Sequence, residues 1–141
     1  MSKERGSPAT VGHLGIEVTS ISKSRKFYEA LLGELGCKAV MDHKDVLGIS
    51  NGAFQVWLSE SSPPRVRRGM PTGEEFVVAD HLAILVDHKE TVKRVTARMM
   101  KEGFAPLFSP AEYPEFAKGY YAVSFCDPDN YVIEIYTCPQ E

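Results

Sequence analysis

The sequence predicts an α+β fold built from two similar βαβββ modules, and an internal repeat is the main observation behind this prediction. The segments Gly12–Val18 and Asp80–Val86 both place a histidine first, then leucine, isoleucine and valine at alternate positions. A helical pattern ending at a glycine (Gly36 or Gly103) follows each segment, and three short extended segments come next. Neither half is long enough to bury a core alone, so we expect one domain over residues 1–141.

The first module covers about residues 11–60. After its first strand, apolar residues recur at helical spacing from Phe27 to Leu35, which predicts a helix over Ser22–Leu35. Asn51-Gly52 is a typical hairpin turn between two of the extended segments. These segments are Ala39–Asp42, Val46–Ile49 and Ala53–Ser59.

The second module covers about residues 78–138 and follows a linker over residues 61–77 that is rich in proline and glycine. Its helix is predicted over Lys89–Glu102, where the apolar residues again recur at helical spacing. The turn Asp127–Asn130 joins the last two extended segments, because proline presets its own φ and asparagine tolerates the left-handed region. The three segments are Ala105–Phe108, Tyr120–Cys126 and Tyr131–Thr137.

Composition and charge exclude several classes of protein. The net charge is −3, with 16 basic and 19 acidic residues, so no nucleic-acid partner is expected. The longest apolar run, Leu82–Val86, is far too short to span a membrane, and the polar start of the chain does not resemble a secretory signal. Three cysteines without a Cys-x-x-Cys pair favour a reduced, cytoplasmic location.

Strand periodicity places one polar side chain from each of four strands on the face of the sheet that carries no helix, which we call the open face. Aligning Asn51–Trp57 with Asn130–Tyr136 makes a glutamine in one module equivalent to a glutamate in the other, and a tryptophan equivalent to a tyrosine. The four polar residues are His13, Gln55, His81 and Glu134.

Several motifs together resemble the vicinal oxygen chelate superfamily, which includes glyoxalase I, extradiol dioxygenases and bleomycin-binding proteins. The resemblance covers roughly Val11–Tyr136. It implies that the sheets curl into a cup, with the helices outside and a divalent metal inside. The motifs are Gly12-His13-Leu14-Gly15-Ile16, the segment Phe27–Gly33, Asp80-His81-Leu82-Ala83, and the segment Asp127–Ile135.

The resemblance also implies a ligand set. His13, His81 and Glu134 match the metal-ligand positions of the family, and Gln55 matches a fourth position that only glyoxalase-like members use as a ligand. Two imidazoles and a carboxylate suit Zn, Ni, Mn, Co or Fe(II) and leave coordination positions open for substrate. Trp57 and Tyr136 are expected to line the pocket together with Tyr120.

The function implied first is a glyoxalase-like metal enzyme of the lyase or isomerase type. Its small substrate would chelate the metal through two neighbouring oxygens, and Glu134 would move a proton next to a carbonyl group. Two alternatives remain open: a ring-cleaving extradiol dioxygenase that uses Fe(II), and a metal-free cup that binds a small molecule such as a drug. Open sheet edges suggest a homodimer, and the resemblance implies the same, because members of the family often form dimers.

Overall fold

The computed structural model describes residues 9–60 and 81–139. The predicted linker over residues 61–77, the first residues of the second module, 78–80, and the polar start of the chain, 1–8, lie outside the described residues. Backbone hydrogen bonds join the described strands into two four-stranded sheets, one for each module.

The first module contains four strands and one helix, with the sheet order β1-β4-β3-β2. Strands β1 and β4 are parallel, and the other pairs are antiparallel. The elements are β1 (Leu14–Val18), α1 (Ile21–Gly33), β2 (Lys38–Asp42), β3 (Val46–Ser50) and β4 (Gln55–Glu60).

The second module repeats this topology with the sheet order β5-β8-β7-β6. Strands β5 and β8 are parallel, as are their counterparts in the first module. The predicted fold class of two βαβββ modules is therefore confirmed. The elements are β5 (Leu82–Leu85), α2 (Lys89–Lys101), β6 (Phe108–Glu112), β7 (Tyr121–Cys126) and β8 (Val132–Thr137).

One strand prediction was wrong. The sequence suggested a strand over Ala105–Phe108, but the strand lies at Phe108–Glu112. Pro110 argues against a strand because it cannot donate to a ladder, yet β6 is an edge strand and its register shifts between Phe108 and Ala111. Proline is tolerated at an edge or a bulge, which is where the chain places it.

The two modules share one hydrophobic core. Helices α1 and α2 contact each other, and the ring of Phe27 meets that of Phe104 edge to face, with centroids 5.3 Å apart. At the end of this contact Arg94 donates to the Glu34 carboxylate at 3.1 Å. The helical faces predicted from the sequence are the ones that are buried, for example at Leu31 and Val95. Packing of the modules therefore depends on their helices.

A buried carboxylate links the turn between β7 and β8 to the first module. Tyr28 of α1 donates its hydroxyl proton to Asp127 Oδ2 at 2.7 Å, and Asp127 Oδ1 accepts from the backbone N–H groups of Asp129 and Tyr131. Burial raises the pKa of Asp127, and these three hydrogen bonds oppose that effect. Thr19 adds two hydrogen bonds to the carboxylate of Asp129.

Within residues 9–60 and 81–139, neither helix is long and apolar enough to cross a membrane.

We expect Tyr28→Phe to destabilise the fold by about 1–3 kcal/mol, because it leaves one oxygen of the buried Asp127 carboxylate without its donor. The measurement is urea unfolding followed by circular dichroism. Tyr113→Phe is the control, since Tyr113 contributes a ring that stacks on Phe116, and this change keeps the ring. Equal losses in the two variants would contradict the role assigned to the Tyr28–Asp127 contact.

Candidate functional site

Three polar side chains meet on the open face of the second module. The Glu134 carboxylate, on β8, lies 3.0 Å from His81 Nε2 through Oε2 and accepts the Tyr120 hydroxyl at 2.6 Å through Oε1. Glu134 pairs with Ala83 in the parallel ladder, so His81, two residues before Ala83 and immediately before β5, sits diagonally across from it. The Glu134 side chain is 11% exposed, whereas the His81 side chain is 39% exposed. Glu134 is therefore held in the interior, whereas His81 is accessible to solvent.

Aromatic rings hold Tyr120 in place beside the carboxylate. Its ring stacks on Tyr136 with centroids 4.9 Å apart and meets the edge of Phe116 at 5.4 Å. Phe116 in turn stacks on Tyr113. Burial, followed by the hydrogen bond to Glu134 and the charge of that carboxylate, raises the pKa of Tyr120. The phenol therefore stays protonated at neutral pH and acts as a hydrogen-bond donor.

The open face of the first module carries a different pair. Trp57 Nε1 donates to Gln55 Oε1 at 2.8 Å, and both residues lie on β4. The indole covers Gly48 of β3, its partner in the antiparallel ladder. A Cβ on this glycine would stand 2.9–3.0 Å from three ring atoms, so only glycine leaves room for the ring.

The sheet register corrects the alignment of the two modules. Leu14 pairs with Val56 in the first module and Leu82 pairs with Ile133 in the second. The next pairs are Gly15 with Trp57 and Ala83 with Glu134. Strands β1 and β5, which follow His13 and His81, are equivalent in the two modules. The counterpart of Glu134 in the first module is therefore Trp57.

The counterpart of Gln55 is Val132 for the same reason. Gln55 pairs with the last residue of β3, and Val132 pairs with the last residue of β7. The alignment of Gln55 with Glu134 and of Trp57 with Tyr136 was therefore wrong, although all four residues lie on open faces. The β3–β4 turn consists of residues 51–54, whereas the β7–β8 turn consists of residues 127–131.

One chain does not bring the complete predicted ligand set together. His81 and Glu134 meet, but no group of three or more His, Cys, Asp or Glu side chains within residues 9–60 and 81–139 comes close enough to hold a metal. His13 is among the described residues and is exposed immediately before β1. A single copy of the chain therefore separates His13 from the His81–Glu134 pair.

Comparison with known proteins establishes the family. Residues 10–135 match the family described as the Glyoxalase/Bleomycin resistance protein/Dioxygenase superfamily. The chain belongs to the glyoxalase/bleomycin resistance protein/dioxygenase superfamily. It is also 24% identical over 130 residues to "Uncharacterized protein YqjT" of Bacillus subtilis (strain 168), and the match covers 87% of this chain and 94% of that protein.

Solved structures of the superfamily share the fold. A glyoxalase/dioxygenase from Nostoc punctiforme superposes with a TM-score of 0.70 at 21% identity, covering 99% of this chain and 98% of that one. Lactoylglutathione lyase from Agrobacterium tumefaciens superposes with a TM-score of 0.67 at 17% identity, covering 94% and 96%. At these identities the likeness extends to the fold alone.

Two contributors to the site escaped the sequence analysis. Gly48 makes room for the Trp57 indole, and a glycine inside a strand was the available signal for a close approach. Phe116 packs against Tyr120, but its contact depends on the course of the segment between β6 and β7. Nothing local in the sequence specifies that course.

We expect Glu134→Gln to lower the pKa of Tyr120 toward its ordinary value, because a neighbouring negative charge disfavours the phenolate. The change should be partial, since burial remains the largest cause of the elevation. NMR titration of ring-labelled tyrosines provides the measurement, and Glu112→Gln, which removes a carboxylate from exposed β6, is the control. An unchanged Tyr120 titration in Glu134→Gln would contradict the contact.

Proposed function

We propose that this protein is a glyoxalase-like, divalent-metal-dependent enzyme that acts on a small substrate with two neighbouring oxygens. The observation that carries the proposal is the His81–Glu134 pair, in which an imidazole nitrogen and a carboxylate oxygen converge at 3.0 Å on an open face. Such a pair fits two positions of a divalent metal site. Tyr120 holds the other carboxylate oxygen, which leaves Oε2 directed at His81.

His13 is the third ligand in this proposal, and Gln55 is a weaker fourth ligand or a close neighbour. Zn, Ni, Mn, Co and Fe(II) all accept two imidazoles and a carboxylate. When bound, the metal would supply a Lewis acid that polarises a carbonyl group of the substrate. Glu134 is the residue that would take or return a proton, since its carboxylate adjoins the place where the substrate oxygens would lie.

We further propose that the complete site forms across a homodimer. His13 is exposed and separated from the His81–Glu134 pair within one chain, so a second copy would have to supply it. Strands β1 and β5, next to which the two histidines lie, are both edge strands of their sheets. An edge strand presents unpaired backbone groups that favour contact with another chain.

A ring-cleaving dioxygenase that uses Fe(II) is the second candidate. The Trp57–Gln55 hydrogen bond supports it, because it turns the amide oxygen that would serve as a fourth ligand toward the indole. Metal analysis of protein purified without chelator separates the candidates. Near-stoichiometric iron would favour the dioxygenase, Zn, Ni, Mn or Co the lyase or isomerase, and no metal uptake a small-molecule-binding protein.

A cytoplasmic location is part of the proposal, because Cys37, Cys126 and Cys138 are all free thiols in the structure.

We expect His13→Ala and His81→Ala to lose most of the bound metal, because each change removes a donor atom from the proposed ligand set. The measurement is metal content by elemental analysis after equilibration at a fixed metal concentration. His88→Ala is a matched control, since His88 is an exposed residue that precedes α2. Loss of metal from His88→Ala, with retention in the other two variants, would refute the ligand assignment.

Mixing two variants that each lack a metal ligand tests whether the site forms across the dimer. In a heterodimer of a His13→Ala chain with a His81→Ala chain, one site would carry both changes and the other would be intact. Random reassortment of equal amounts should therefore restore about one quarter of the metal-binding capacity. Light scattering verifies the dimer and its exchange. A monomeric mass, or exchange without recovery, would contradict the composite site.

A further inference from the structure

The two modules present different chemistry at equivalent places on their open faces. By register Trp57 occupies the place that Glu134 occupies in the second module. His81 Nε2 lies 3.0 Å from Glu134 Oε2. By the ladder register, the residues of the first module that are equivalent to His81 and Glu134 are His13 and Trp57. The second module therefore places a carboxylate beside its histidine, whereas the first module places an indole there.

The indole is held as a flat surface. Ring atoms Cζ3, Cε3 and Cη2 lie at 2.9, 3.0 and 3.0 Å from the point where a Cβ of Gly48 would stand. Adjacent ring atoms at nearly equal distances mean that the ring covers the glycine with its face. One face of the indole is consequently packed on the sheet, and because Trp57 is only half-buried, its exposed part lies away from that face.

The hydrogen bond within the pair fixes the orientation of the Gln55 amide. An indole N–H can only donate, so the oxygen of the amide, and not its nitrogen, must face Trp57. The same contact keeps the indole from turning about its side-chain bonds. The amide oxygen of Gln55 is therefore turned toward the indole, and the NH2 group is a donor that an acceptor oxygen of a ligand can use.

We propose that the first module contributes a single metal ligand, His13, and that Trp57 with Gln55 forms a wall that binds a planar, unsaturated substrate bearing an acceptor oxygen. This proposal rests on the metal-dependent function proposed above and narrows its substrate class. Flat rings gain most by stacking face to face with an offset, and the exposed side of the indole offers such a surface. A saturated, puckered substrate would lose that contact.

The first experiment compares a new carboxylate at each of the two positions. Trp57→Glu should shift the metal dissociation constant downward and weaken the visible absorption of bound Co(II), because it adds a ligand at the equivalent of Glu134. Gln55→Glu should leave both properties close to those of the unaltered protein. The opposite result, with tighter binding only in Gln55→Glu, would assign the fourth position to residue 55 and overturn the proposal.

The second experiment measures the wall directly, with catechol and cis-1,2-cyclohexanediol as probes. Both carry neighbouring hydroxyl groups, but only catechol is planar. Trp57 is the single tryptophan of the chain, so quenching of intrinsic fluorescence reports on this surface alone. We expect catechol to quench it, the saturated diol to bind more weakly, and Gly48→Ala to weaken catechol binding about two- to tenfold by displacing the ring.

Gly33→Ala is the matched control, because a Cβ at that exposed end of α1 meets nothing within 4 Å. Equal binding of the two diols would contradict the proposal that Trp57 and Gln55 bind a planar substrate. Catechol binding that Gly48→Ala leaves unchanged would contradict it as well. Thermal melts verify that Gly48→Ala is folded. Trp57→Leu removes the ring without crowding the sheet and provides a second route to the same loss, measured by titration calorimetry because this variant contains no tryptophan. Failure of the proposed metal function differs from both outcomes: no variant would bind metal, while catechol would still quench Trp57.

Discussion

The buried carboxylate of Asp127 is the polar contact that holds the turn before β8 against helix α1 of the first module, beside the packing of the two helices. One of its oxygens closes the turn before β8, and the other accepts a hydrogen bond from the Tyr28 hydroxyl of the first module. A buried carboxylate without partners would be costly, so the turn, the helix and the charge stabilise one another. Because Glu134 follows this turn on β8, the same contact also positions the proposed site relative to the first module.

The turns also explain why the two sequence repeats cannot be aligned through their asparagines. Asn51 is the first residue of its turn, and its side-chain oxygen accepts from the N–H groups of Ala53 and Phe54. Asn130 is the fourth residue of a longer turn, where it adopts a positive φ of 69°. The two asparagines therefore have different roles in their turns. The side chain of Asn51 accepts hydrogen bonds from nearby backbone N–H groups, whereas Asn130 is favoured because asparagine tolerates the left-handed region. An alignment through the two asparagines shifts β4 by two residues relative to β8. Each side chain is then still assigned to its correct face of the sheet, but it is matched with the wrong residue of the other module.

Local periodicity was sufficient for the fold and for one half of the site. The alternating strands and helical spacing predicted the βαβββ order and placed His81 and Glu134 on the same face, where the structure brings them together. The position of His13 relative to that pair depends on how the modules pack, and the helix contacts that decide this packing leave no local pattern on β1. The edge strand β6 was misplaced because Pro110 is acceptable only where a ladder bond is not needed, and that is a property of the assembled sheet.

The open faces of the two modules differ because one holds a nearly buried charge and the other holds an apolar ring. Glu134 is nearly buried, and a charge in that setting requires partners, which His81 and Tyr120 supply. Trp57 needs no charged partner, because it covers Gly48 and satisfies its one donor through Gln55. Placing a second carboxylate in the first module would demand a second set of donors there, and strand β4 carries no basic side chain that could supply one. A duplicated unit can thus keep its fold while one copy retains charged chemistry and the other becomes an apolar surface.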